Sequence, residues 1–158
     1  MTTGRELARA IRTAYLALHR RTDGCFAADE VTADQFVLLS ALADGEAATQ
    51  QELVRRIGSD PNTVRAMLVL LESRGLVARN RHPEDGRARR AGLTAKGRRT
   101  FARLWTKSEP VRQKLLSALR PDEVVTLAAL LRRVGDAMAP EEFHRPTTTS
   151  KGALPCGD

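Results

Sequence analysis

Residues 60–94 read DPNTVRAMLVLLESRGLVARNRHPEDGRARRAGLT, and the fold is decided in this stretch. Asp60 (or Ser59) is an N-cap residue, and Pro61 opens a helix with φ already suitable and no N–H left unpaired. Val64, Met67, Leu68 and Leu71 then recur at helical spacing up to a stop at Gly75. After Gly75 the period changes from 3.6 to 2: Leu76 to Arg81 alternates as a strand does. Pro83-Glu84-Asp85-Gly86 is turn chemistry, and Arg87 to Leu93 returns as a second strand. A short helix followed by a basic hairpin is half of a winged helix-turn-helix.

The other half lies immediately upstream. Thr49 and Glu52 form a capping box that starts a helix with Leu53, Val54 and Ile57 as its apolar stripe, and Gly58 suits a left-handed end. Before it, Thr32 and Gln35 form another capping box, with Val31 and Phe36 at the two positions of a hydrophobic staple. That helix carries Phe36, Leu39 and Leu42 inward and ends near Asp44-Gly45. Further out, residues 5–22 place Leu7, Ile11, Tyr15 and Leu18 on one face of an amphipathic helix, followed by a loop at Thr22-Asp23-Gly24-Cys25. Downstream, Thr94 caps a helix running through Phe101, Leu104, Trp105, Val111, Leu115 and Leu119, which Pro110 should bend or interrupt. Pro121 opens a last helix with Val124, Leu127, Leu130, Leu131, Val134 and Met138. The expected class is mainly α with a small two-to-three-stranded β wing.

The charge is placed unevenly. The 158 residues hold 26 Lys+Arg and 19 Asp+Glu, for a net charge of +7. Residues 74–103 alone contain ten basic side chains against Glu84 and Asp85, so the remainder is close to neutral. Nine of the ten are Arg, whose planar fork matches phosphate and guanine. A one-sided excess of this kind is the electrostatic footprint of a nucleic-acid site.

Base readers are expected at the start of the helix opened by Pro61. Asn62, Thr63 and Arg65 lie in its first two turns, opposite the buried stripe. Asn bonds adenine bidentately, Arg does so with guanine, and Thr serves bases or phosphate. A phosphate is also favoured at the helix N-terminus. Arg81, Arg87, Arg89 and Arg90 furnish the wing, where Arg at a loop tip can enter a narrow minor groove, and Asp85 is placed to hold Arg87. The expected DNA-binding set is therefore Asn62, Thr63, Arg65, Arg81, Asp85, Arg87, Arg89 and Arg90.

Residues 49–97 resemble the MarR (multiple antibiotic resistance regulator) family of winged helix-turn-helix transcription factors. The resemblance rests on Gln51-Glu52-Leu53, Asn62-Thr63-Val64, Leu71 through Val77, Asp85-Gly86-Arg87 and Leu93 through Gly97. It implies a homodimer on a pseudopalindromic operator, whose first and last helices interlock, and a repressor or activator. It implies release from DNA by small lipophilic or phenolic ligands or by oxidants, and a minor-groove role for Arg87. On this plan 1–138 is a single domain, with 32–94 the winged helix-turn-helix and 5–22 and 95–138 the dimerisation helices. Residues 139–158 lack an apolar period and are expected to be a flexible tail. One departure is visible: the middle of the reading helix is apolar, with Ala66, Val69 and Leu70 where the family usually has polar residues.

Tyr15, His19, Phe36 and Trp105 are candidates for an effector pocket, since three of them pair an apolar body with a polar tip. Their alternative use is ordinary core. Cys25, close to Arg20 and Arg21 in sequence, is a candidate redox sensor, against the plainer reading of a small buried hydrophobe. Metal ligation is not expected, because the two Cys and three His do not cluster at ligand spacing. Enzymatic signatures such as a Gly-rich phosphate loop or His-Glu-x-x-His are missing, so neither an enzyme nor a cofactor is expected. The N-terminus lacks an apolar signal core and no apolar run approaches the roughly 20 residues of a membrane span, which points to a cytoplasmic protein without membrane contact. The rival readings are a non-specific architectural DNA binder, and a winged helix that uses its apolar middle for protein contacts.

Overall fold

Threonine side chains set four of the helix starts. Thr3, Thr32 and Thr49 each accept from the backbone N–H three residues on, while Glu6, Gln35 and Glu52 return a bond to the cap backbone. Thr94 accepts from Gly97 N in the same way. The computed structural model describes residues 3–81 and 89–139. Its elements are α1 (Gly4–Phe26), a 3-10 turn (Ala27–Asp29), α2 (Ala33–Ala43), β1 (Ala48–Thr49) and α3 (Gln50–Ile57). After these come α4 (Pro61–Ser73), β2 (Val77–Arg81), β3 (Arg89–Leu93), α5 (Ala95–Lys107), α6 (Glu109–Ser117) and α7 (Pro121–Met138).

The three strands form one antiparallel sheet in the order β1-β3-β2. Val77 stands opposite Leu93 and Arg81 opposite Arg89, while Ala48 and Thr49 pair with Ala91 and Arg90. The core lies between α2, α3, α4 and the sheet. Phe26, Leu38, Leu39, Leu53, Val64, Leu68, Leu71, Val77 and Leu104 are its fully enclosed side chains. Each such aliphatic group contributes about 1.5–3 kcal/mol on leaving water.

One expectation about a helix end needs correction, and one is settled between its two alternatives. α1 does not stop before the segment Thr22 to Cys25 but runs through it to Phe26. Phe26 is wholly buried in the core, and Thr22 Oγ1 donates to Leu18 O at 3.0 Å, so the extra turn is anchored by packing and by its own hydroxyl. Reversal comes later, at Glu30, which takes φ 54°. The helix started by Thr94 is broken rather than bent. Ser108 closes α5 and opens α6, with Pro110 in the first turn of α6, where its missing N–H costs nothing.

Among the described residues, α7 has almost no packing against the rest of its own chain. Val125, Leu127, Leu130, Leu131, Val134 and Met138 along it are exposed, as are Leu7, Tyr15 and Leu18 on α1. The expected tail from 140 onward lies outside the described residues.

Candidate nucleic-acid interface

α3, a short turn and α4 form the helix-turn-helix. Gly58 takes φ 64° at the end of α3, which allows the chain to turn within three residues. Asp60 Oδ1 then accepts from Asn62 N at 3.0 Å and Thr63 N at 2.9 Å. These bonds, with that from the Thr63 side chain foremost, hold the Asp60 carboxyl below its usual range. The free amides of the helix end are therefore already served by a carboxylate, which makes this end less hospitable to a phosphate than an uncapped one. Gln50 Nε2 donates to Pro61 O at 3.1 Å and ties the starts of the two helices together.

Val64, Met67, Leu68 and Leu71 of α4 are buried, while Asn62, Thr63 and Arg65 are exposed on its first two turns. Those three expected readers therefore share the outward part of one helix. Ala66, Val69 and Leu70 are exposed as well, Val69 at 51% and Leu70 at 46%. Among the described residues, the apolar middle of α4 is left about half open to solvent.

The wing separates arginines that look alike in sequence. Arg89 is exposed at the far end of β3, on the same side of the ribbon as Arg79. Arg90 falls on the opposite face and is half-buried, its Nη2 4.0 Å from Glu52 Oε1. Arg79 forms an ion pair with Glu72 at the end of α4, and Arg79 followed by Arg89 keeps the Glu72 carboxyl below its ordinary range. Arg81 closes β2 opposite Arg89. Asp85 and Arg87 lie outside the described residues.

Several bases that made the 74–103 stretch look like an uninterrupted anion site are engaged within the protein. Arg74 donates to Glu30 O at 2.5 Å and Asp29 O at 2.9 Å. Lys96 donates to Arg74 O at 2.8 Å, and Arg98 to Leu93 O at 2.9 Å. Arg103 Nε and Lys107 Nζ meet the Asp29 carboxylate at 3.2 and 2.5 Å. The sequence reading did not anticipate Asp29, Glu72 or Gln50; each acts through a contact outside its own helical turn or strand.

The four effector-pocket candidates split into two pairs. Tyr15 and His19 lie side by side on α1, their ring centroids 5.5 Å apart and the planes tilted by 49°. His19 sits between Asp23, 3.1 Å from Nδ1, and Asp34, 3.3 Å from Nε2. Phe36 and Trp105 belong to an aromatic group with Phe26 and Phe101, and the Arg112 guanidinium lies 3.9 Å above the Trp105 ring. An open cleft of about 520 Å³ runs along α2 and α3, lined by Phe36, Val37, Ser40, Ala41, Asp44, Gly45, Arg56 and Ile57. Of the four candidates, only Phe36 borders it. Cys25 is partly buried and packs against the core.

Residues 31–88 match the model of the MarR family. The transcriptional regulator HosA of Escherichia coli O111:H- is 31% identical over 68% of this chain and 80% of its own length. The chain belongs to the MarR family. Its fold superposes on the Streptomyces coelicolor transcriptional regulator PcaV, solved in complex with its natural ligand. The TM-score is 0.72 at 31% identity, over 87% of this chain and 95% of PcaV. The transcriptional repressor CouR, solved bound to a 23-mer DNA duplex, matches with a TM-score of 0.71 at 30% identity, over 85% of this chain and 97% of CouR. The MarR-type chain is a DNA-binding transcriptional regulator with a winged-helix fold, and these relatives are regulators rather than enzymes. No described helix is long and apolar enough to cross a membrane.

Proposed function

We propose that this MarR-type regulator binds a pseudopalindromic operator as a homodimer and represses transcription until a small lipophilic or phenolic ligand releases it. The observation that carries the dimer is α7, a helix of 18 residues with an apolar row and almost no packing on the described residues of its own chain. Apolar surface of this extent calls for a partner, and the exposed Leu7, Tyr15 and Leu18 of α1 supply a matching face. A two-fold pair would set two copies of α4 about one DNA turn, roughly 34 Å, apart. Dimerisation through 5–22 and 95–138, with 32–94 on DNA, divides the labour of the single domain. Within it Asn62, Thr63 and Arg65 read bases, and Arg81, Arg87 and Arg89 serve the backbone or minor groove.

Repression and ligand release follow the relatives: CouR is a repressor seen on DNA, and PcaV is seen with a ligand. The aromatic group of Phe36, Phe101 and Trp105 offers stacking faces to a small lipophilic or phenolic ligand.

Sedimentation of the full chain tests the dimer. A species of twice 17.3 kDa is expected at micromolar concentration, and Leu130→Asp or Val134→Asp should shift it to the monomer mass. A wild-type protein that sediments only at 17.3 kDa overturns the dimer, and with it the two-site operator.

A further inference from the structure

The outward row of α4 changes chemistry part-way along. Helical spacing aligns Asn62, Ala66, Val69 and Ser73 on the line opposite the buried Val64, Leu68 and Leu71. Ser73 Oγ donates to Leu70 O at 2.7 Å, so its hydroxyl is turned back on the helix. Between Asn62 and that point, the row offers no side-chain hydrogen bond to a base edge. Val69 is nevertheless 51% exposed, with Arg65 on one flank and Thr63 and Leu70 on the other. An apolar ridge bordered by a guanidinium and headed by an amide suits a polyanion that presents apolar groups. In a DNA major groove the only such group is the thymine 5-methyl.

We propose that Ala66 and Val69 are specificity-determining residues that select thymine by contact with its 5-methyl group. Asn62 takes the preceding polar position, where an adenine N6/N7 edge satisfies its amide. At 1.5 Å rise per residue, Ala66 stands about 6 Å and Val69 about 10.5 Å beyond Asn62 along the helix. These offsets correspond to about two and three base-pair steps, so the half-site carries thymines within three steps of the adenine. This inference rests on the DNA-reading role of α4 and names the base chemistry that α4 prefers.

The test uses full-length protein and duplexes that it selects from a random pool. Each thymine of a selected half-site is replaced singly by deoxyuridine, which removes the methyl and leaves every hydrogen-bonding edge intact. At one or two positions, affinity should fall about four-fold for each methyl lost. Val69→Ala, a change at an exposed site that the fold tolerates, should abolish the thymine-over-uracil preference at one of these positions and keep it at the other. If no deoxyuridine lowers affinity beyond measurement scatter while Asn62→Ala and Arg65→Ala still weaken binding, the thymine inference is wrong and the DNA-reading role stands. If the pool yields no enriched sequence, both fall.

Discussion

Arg79 in β2 forms an ion pair with Glu72 in the last turn of α4, its Nε donating to Oε2 at 2.8 Å. The wing is thereby tied to the helix proposed to read bases. Both side chains keep some solvent contact, 22% for Arg79 and 36% for Glu72, so the pair adds less than about 1 kcal/mol to stability. On the proposed reading, its value is in fixing the angle between the wing and α4 before DNA binding. Arg79→Ala should leave the melting temperature nearly unchanged and weaken operator binding about five-fold, the cost of ordering a loosened wing. Fluorescence anisotropy beside a thermal melt separates the two effects; an equal loss in both would make the pair a simple stability contact.

Asp29 has a stronger claim on stability. Its side chain is only 8% exposed and its two oxygens meet Arg103 and Lys107 of α5, while its backbone carbonyl accepts from Arg74 at the end of α4. The hydrogen bond from Lys107, helped by Arg103, holds its carboxyl below the ordinary 3.8 against the burial that would raise it. A lowered carboxyl binds its proton less tightly folded than unfolded. The stabilisation is therefore complete above the ordinary value and is lost as pH falls through the folded one. Asp29→Asn should cost about 2 kcal/mol in urea melts at pH 7 and at pH 5. The gap should narrow toward pH 3, and a gap that widened there would contradict the ion-pair account.

These two ties show where the sequence speaks and where it is silent. Thr32 with Gln35, Thr49 with Glu52 and Asp60 with Pro61 announce helix starts because cap and partner lie within a few residues. The outward face of α4 follows from its buried stripe in the same way. Asp29 and Lys107 are 78 positions apart, and nothing in either neighbourhood marks them as partners. Arg89 and Arg90 read alike until strand register puts them on opposite faces. The two-residue β1 shows no period, because a strand that short has no room to alternate. The run of arginines suggested one uniform anion surface, yet Arg74, Arg98 and Arg103 brace backbone carbonyls or a carboxylate.

Gly97 supplies the tightest backbone approach in the junction between the wing and α5. A Cβ built there would stand 1.9 Å from Leu76 O, the carbonyl that also accepts from Thr94 N at 3.1 Å. The obstacle is main chain on both sides, so no side-chain rotation relieves it. Gly97→Ala should lower stability by about 3 kcal/mol, despite the better helix propensity of Ala. Denaturant unfolding at constant m-value checks this, and a variant as stable as wild type would mean that the first turn of α5 can shift without cost.

Arg89 and Arg90 make a paired test of the interface. Arg89 is exposed at the end of β3, and the Glu72 carboxylate on its side of the ribbon is already ion-paired with Arg79, so the Arg89 charge can meet a phosphate. Arg90 reaches back toward Glu52, which caps α3 through its bond to Thr49 N at 2.7 Å. Each lysine or arginine that neutralises a phosphate contributes about 0.9 to the slope of log affinity against log salt. Arg89→Ala should therefore reduce that slope by about one and weaken binding across all sequences alike. Arg90→Ala should leave the slope as it was, because its counter-charge is already supplied by Glu52 of the same chain. Titrations of one duplex at a series of potassium chloride concentrations distinguish the pair. Equal slope changes in both variants would mean that Arg90 leaves Glu52 on binding, and the inward placement would then describe only the DNA-free protein.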